Sequence, residues 1–183
     1  MKKKLIIVCV LVALLAVVIM LGNLSKYQSS QSDTNSNIQT VEEIYSKLSI
    51  DITPLAKLPE KYSIYDAIED GYLVIMGNKY NDQSQNEFME SYNKKEKAFI
   101  RVAKLTDEGD LILYDIIYLP EQDKVYVVTD YSRDKFSSKE NRAISFKEYD
   151  KLAVNYDGKK CWIAYNGDLS KVKNEDVFYI VAI

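Results

Sequence analysis

The chain has 183 residues, with 24 lysines and arginines against 27 acids and no histidine, which is room for one ordinary globular domain and an appendage. The missing histidine excludes serine–histidine and cysteine–histidine catalysis, imidazole metal sites and a histidine switch near neutral pH. Setting aside Lys2, Lys3 and Lys4 leaves 21 basic residues against 27 acidic ones, a charge of −6, so the chain lacks the electrostatic footprint of a nucleic-acid binder.

Residues 1–24 read as a cytoplasmic stub and a transmembrane signal anchor. Leu5 to Leu21 form 17 uninterrupted apolar residues, about 25 Å of helix, which meets the lower limit for crossing a bilayer. By the positive-inside rule the lysines at 2–4 stay in the cytoplasm and the C-terminal part is exported. A cleaved signal peptide is the rival reading, but Met20-Leu21-Gly22-Asn23-Leu24 fits a small-x-small cleavage site poorly. Lipidation at Cys9 would require a small residue where Val8 stands. With only a few residues left inside, the chain is not expected to act as a receptor by itself. Residues 25–39, rich in Ser, Gln, Asn and Thr, read as a flexible polar linker with a root-mean-square reach of about 20–25 Å. The remaining segment, 40–183, is expected to be an extracytoplasmic domain working near the membrane face.

Thr40 and Glu43 have capping-box spacing, and Val41, Ile44, Tyr45 and Leu48 fall on one helical face. Pro54 and Pro59 close that section. Tyr72–Met76 reads as a strand, and Ser84 with Glu87 marks a second short helix carrying Phe88, Met89 and Tyr92. Strands are expected at 98–105, 111–119, 124–129, 143–154, 159–165 and 177–183, joined by turn chemistry such as Asp157-Gly158 and Asn166-Gly167. The fold class is therefore α+β: an antiparallel β-meander sheet with one or two short helices packed on it. A three-residue loop with Gly109 in the left-handed position makes Thr106 and Asp110 the closing pair. Arg101 then faces Asp115 among Phe99, Ala103, Leu105, Leu111, Leu113 and Ile117, as a structural ion pair or, less simply, a polar site in a cleft.

Other constellations are weaker. Ser132-Arg133-Asp134-Lys135 has the serine-x-x-lysine spacing but none of the companion motifs of that chemistry. Cys161 lacks a histidine to activate it and, from the Asp157-Gly158 turn, should oppose Val154 as a small buried residue. Asp107, Glu108 and Asp110 read as a solvated acidic turn, with no alternate-position calcium loop. The 15 tyrosines suit sheet packing, with a share left for a binding surface. No cofactor and no metal are implied. The segment from Tyr131 to Arg142 is locally basic in an acidic domain, and Tyr131, Ser132, Arg133, Lys135, Phe136 and Lys139 are the candidate binding residues. In the bland alternative, Asp130 or Ser132 caps a turn and Phe136 plugs the core.

Thr106-Asp107-Glu108-Gly109-Asp110, Tyr114-Asp115 and Asp130-Tyr131-Ser132-Arg133-Asp134-Lys135-Phe136 resemble the bacterial family designated domain of unknown function 4362, over a stretch from about Asp70 to the C-terminus. Leu111 and Ser137 depart from its pattern, where proline and glycine are common. The resemblance implies small exported or lipid-anchored proteins, mostly Gram-positive, and brings no activity and no disulfide, since Cys161 stands alone. Together these readings lead to the expectation of a non-enzymatic binding or interaction module at the cell membrane with a protein or envelope partner. The alternatives are a small envelope enzyme using carboxylates, or an accessory subunit of a membrane complex.

Overall fold

The computed structural model describes residues 41–49, 51–75, 82–138, 142–157 and 159–182. The expected anchor, the linker, the Thr40 cap, Met76 and Lys139 lie outside the described residues. Among those described, no helix is long and apolar enough to cross a membrane. Residues 41–183 form one compact unit.

Helix α1 (41–46) buries Val41, Ile44, Tyr45 and, one turn on, Leu48, as the i, i+3, i+4, i+7 spacing requires. A 3-10 turn, Leu55–Lys57, follows, and then helix α2 (Ile64–Glu69). The sequence reading passed over α2, although its start signal was present. Ser63 accepts a hydrogen bond from the Asp66 amide while the Asp66 carboxylate accepts from the Ser63 amide, a capping box with aspartate in place of glutamate. Gly71, at φ +76, ends it.

Strand β1 (Leu73–Ile75) leads into α3 (Asp82–Asn93). Ser84 therefore lies inside this helix and is not its cap. The chain continues as β2 (Ala98–Leu105), β3 (Leu111–Leu119), β4 (Lys124–Asp130) and β5 (Ile144–Tyr149). These form one five-stranded sheet in the order β1-β2-β3-β4-β5. The meander β2 to β5 is antiparallel, but β1 pairs with β2 in parallel, so the sheet is mixed. Strand β1 reaches β2 through α3, the long crossover that a parallel neighbour demands.

The stretch expected as one strand over 143–154 is two. It breaks at Asp150, whose amide donates to the Tyr165 carbonyl and to Asn166 Oδ1, and whose Oδ2 accepts from the Gly167 amide. Bonding to that turn draws the chain out of the first sheet into a second one. Strands β6 (Lys151–Tyr156), β7 (Lys159–Tyr165) and β8 (Phe178–Ala182) form this three-stranded antiparallel sheet. A bulge beside Asn155, at φ +68, shifts the β6–β7 register, so Trp162 and not Cys161 faces Val154. Cys161 is nonetheless buried, packed with Ile163 and Tyr165 under Leu169, Val172 and Val177.

The five-stranded sheet is covered on both faces, which is why every residue of β3 is buried. On one face Ile100, Val102, Tyr114, Ile116 and Tyr118 pack against Phe88 of α3 and Trp162, Leu152 and Ile180 of the second sheet. Phe88 meets Trp162 edge to face at 5.3 Å. On the other face Ala103, Leu113, Ile117 and Val128 pack under α1, Leu55 and α2. Tyr114 and Tyr118 thus belong to the core, in line with sheet packing as the use for those tyrosines.

Candidate functional site

Two polar constellations stand out, one enclosed and one open. The β2–β3 register is the one the Gly109 loop imposes: Arg101 faces Asp115, Ala103 faces Leu113 and Phe99 faces Ile117. Gly109 stands at φ +89, and the Thr106 amide donates to the Asp110 carbonyl at 2.8 Å. Arg101 Nε and Nη2 each donate to one Asp115 carboxylate oxygen at 2.6 Å, a bidentate pair. Arg101 Nη1 donates to the Tyr72 hydroxyl at 3.1 Å, Nη2 also donates to the Thr53 carbonyl at 2.8 Å, and the Tyr45 hydroxyl donates to Asp115.

Arg101 and Asp115 are 1% and 0% exposed. Burial pushes the Asp115 carboxyl above its ordinary value, while Arg101 and the Tyr45 hydroxyl pull it back. Burial is the largest influence on Arg101 and opposes its charge, but the hydrogen bonds and charge of Asp115, together with Tyr45 and Tyr72, outweigh it and hold the guanidinium above its ordinary value. A guanidinium stays protonated, so Arg101 is a buried charge that the Asp115 carboxyl faces. Burial and then Asp115 likewise push the Tyr45 hydroxyl well up. Enclosed by α1, Thr53 and Tyr72, the pair is a clamp fixing the N-terminal segment on the sheet, and Arg101 and Tyr72 also line a cleft between α3 and β2.

The open constellation lies where β4 ends. Asp130, 1% exposed, accepts from the Ser132 amide at 2.8 Å and pairs with Arg133. Arg133 Nη2 donates to the Pro59 carbonyl at 3.0 Å, tying this loop to the segment that begins α2. Its Nε is buried without a hydrogen-bond partner, an unmet donor of the kind that costs about 1–3 kcal/mol. Asp134 Oδ1 accepts from the Phe136 and Ser137 amides, Asp110 Oδ2 accepts from the Lys135 amide at 2.7 Å, and Arg142 donates to the Ser137 and Lys135 carbonyls. The loop is thus held by its own carboxylates and by Arg142.

These contacts divide the candidate residues. Arg133 is a structural cation, and Tyr131 packs edge to face on Tyr114 at 6.4 Å. Ser132 lies in a turn with Lys135 exposed beyond it, not at the head of a helix, so the serine-x-x-lysine spacing has no catalytic setting. Phe136 does not plug the core; it is 74% exposed. The reason is visible in the bonding: Asp134 turns the chain at Phe136 and Ser137, and Tyr131 already occupies the place against the core. Tyr65 of α2, 75% exposed, escaped the sequence reading because α2 itself did.

Between the Glu60–Tyr65 segment, the Gly109 turn and this loop lies an open cleft of about 970 Å³. Its wall carries Lys61, Lys135 and Arg142 besides Arg133, with Glu60 and Asp110 as the acids and Ile64, Leu105 and Leu111 as apolar lining. The smaller cleft between α3 and β2, about 380 Å³, is lined by Tyr72, Glu87, Phe88, Lys97 and Arg101 among others. No group of three or more Cys, Asp or Glu among the described residues is placed to hold a metal ion. In comparison with known proteins, no family model, no curated protein and no solved structure matches this chain.

Proposed function

We propose that this protein is a binding module, tethered to the outer face of the cell membrane by residues 5–21, that engages a partner through α2 and the loop after β4. One observation carries the reading: two large aromatic side chains, Tyr65 and Phe136, stand about three-quarters exposed on segments that Arg133 ties together beside a cationic cleft. Exposed aromatics next to cations, held on a stiff scaffold, are the usual makings of an interface hot spot. The apolar run after Lys2–Lys4 and the polar linker support the tether. Kinship with the domain of unknown function family 4362, on the motifs at 106–110 and 130–136, belongs to the same proposal.

A photo-crosslinking residue placed at Phe136 or Tyr65 in intact cells is expected to capture the same partner, whereas one at exposed Glu96 is not. Equal capture from all three positions, or none from Phe136 and Tyr65, overturns the surface. A reporter active only outside the cytoplasm, fused after Ile183, is expected to be active, and an inactive fusion overturns the topology.

A further inference from the structure

We infer that the cleft between α2 and the loop after β4 is a docking groove for an acidic, extended peptide segment of a protein partner. The inference rests on the reading of this surface as the binding face and adds the chemistry of what it binds. The domain from residue 41 onward is acidic overall, and several of its lysines elsewhere are paired. Lys57, Lys94, Lys95, Lys97 and Lys124 each lie within 3.2 Å of a carboxylate. Lys47, Lys104, Lys147 and Lys151 stand apart without an ion pair among the described residues, whereas the cleft gathers its cations in one place. Lys61, Lys135 and Arg142 have no carboxylate partner among the described residues, and the nearby Asp110 is turned to the Lys135 amide. Arg142 spends its donors on backbone carbonyls, which leaves its charge uncompensated.

Three unpaired cations along a trough that also carries Ile64, Leu105 and Leu111 suit a chain that alternates carboxylates with apolar side chains. Tyr65 at one wall supplies an aromatic body for such a side chain. The charge balance also favours a peptide over an anionic lipid surface. Charges are screened over about 8 Å at physiological salt, so a peptide inside the cleft feels mainly the local charges, in which Lys61, Arg133, Lys135 and Arg142 outnumber Glu60 and Asp110. A membrane plane lies against a wider area of a domain whose net charge is negative.

The test uses the full-length chain in neutral detergent and two fluorescent peptides, one alternating Glu and Leu, the other identical with Gln for Glu. Anisotropy is expected to show the Glu peptide binding about tenfold or more tightly than the Gln peptide, with the difference shrinking as salt rises. The exposed pair Lys61→Glu with Lys135→Glu is expected to abolish that preference at unchanged melting temperature, and Lys61→Gln with Lys135→Gln to weaken it. Equal binding of the two peptides, no binding of the Glu peptide, an unaltered preference in the charge-reversed protein, or tighter binding to vesicles containing phosphatidylglycerol each overturns the acidic-peptide groove. If crosslinking from position 136 persists under any of those outcomes, the interaction surface stands and only its ligand class falls; if crosslinking is also lost, both fall.

Discussion

Replacing Asp115 by leucine strands the Arg101 guanidinium at 1% exposure with only the Tyr72 hydroxyl and the Thr53 carbonyl as acceptors. It also removes the acceptor of the Tyr45 hydroxyl. Breaking a buried pair from one side costs about 3–5 kcal/mol, and arginine has no protonation route of escape. Asp115→Leu is therefore expected to cost about 4 kcal/mol at pH 7, near 10–15 °C in melting temperature for a unit of this size. Arg101→Met behaves differently, because a carboxyl can take up a proton. Without Arg101 the stronger of the two groups that pulled Asp115 down is gone, burial and the Tyr45 hydroxyl remain, and its folded pKa stands further above the unfolded value of about 3.9. The folded protein then keeps a proton that the unfolded chain has released. Its stability is highest below the unfolded pKa and falls as pH rises toward the folded one. The double change Arg101→Met with Asp115→Leu leaves no buried charge and is expected to cost less than either single change at pH 7, a coupling of about 2–4 kcal/mol. Urea unfolding of the four proteins at pH 4.5 and 7 measures the cycle. Additive costs, or an Arg101→Met protein equally stable at both pH values, would refute the reading of this pair as a buried, mutually compensating clamp.

Arg133→Ala is expected to cost about 2–3 kcal/mol, since Asp130 is left buried with the Ser132 amide alone, whereas Lys135→Ala and Phe136→Ala should stay within about 0.5 kcal/mol; thermal melts of the three separate the structural cation from the exposed pair. Gly109→Ala has room for its Cβ but must adopt φ +89, so a loss of about 1–2 kcal/mol is expected in the same melts. Ser63→Ala removes the α2 cap at about 1 kcal/mol. Hydrogen bonding to Ser63 holds the Asp66 carboxyl below its ordinary value, so the cap contributes above the usual carboxylate range and is lost as pH falls through it. Faster amide exchange over Ile64–Glu69 in Ser63→Ala checks this, and unchanged exchange removes the capping box as the reason for α2.

The strands β2 to β4, the helix at 41–46 and the β2–β3 register were legible because they are local, whereas α2 and the division of 143–154 were not. A two-fold side-chain period and the Gly109 turn determine which face each residue of β2 and β3 takes, and one step of slip would have moved Arg101 and Asp115 off the apolar stripe. The same holds for α1, whose buried residues follow from helical spacing. The family of charges at 131–142 was also visible as composition, but its division into structural and exposed members was not. Arg133 belongs to the fold because Asp130 and the Pro59 carbonyl, 74 residues away in the second case, converge on it. Phe136 is exposed because Tyr131 took the core position and Asp134 turned the chain. Tertiary structure alone decided the parallel pairing of β1, the break at Asp150 toward the Tyr165–Gly167 turn, and the bulge that put Trp162 opposite Val154. Each of these depends on a hydrogen-bond partner distant in the chain or on a packing choice, and no local period encodes such a partner. Sequence set what each segment can bury; the assembled sheet decided which surface was left to meet something else.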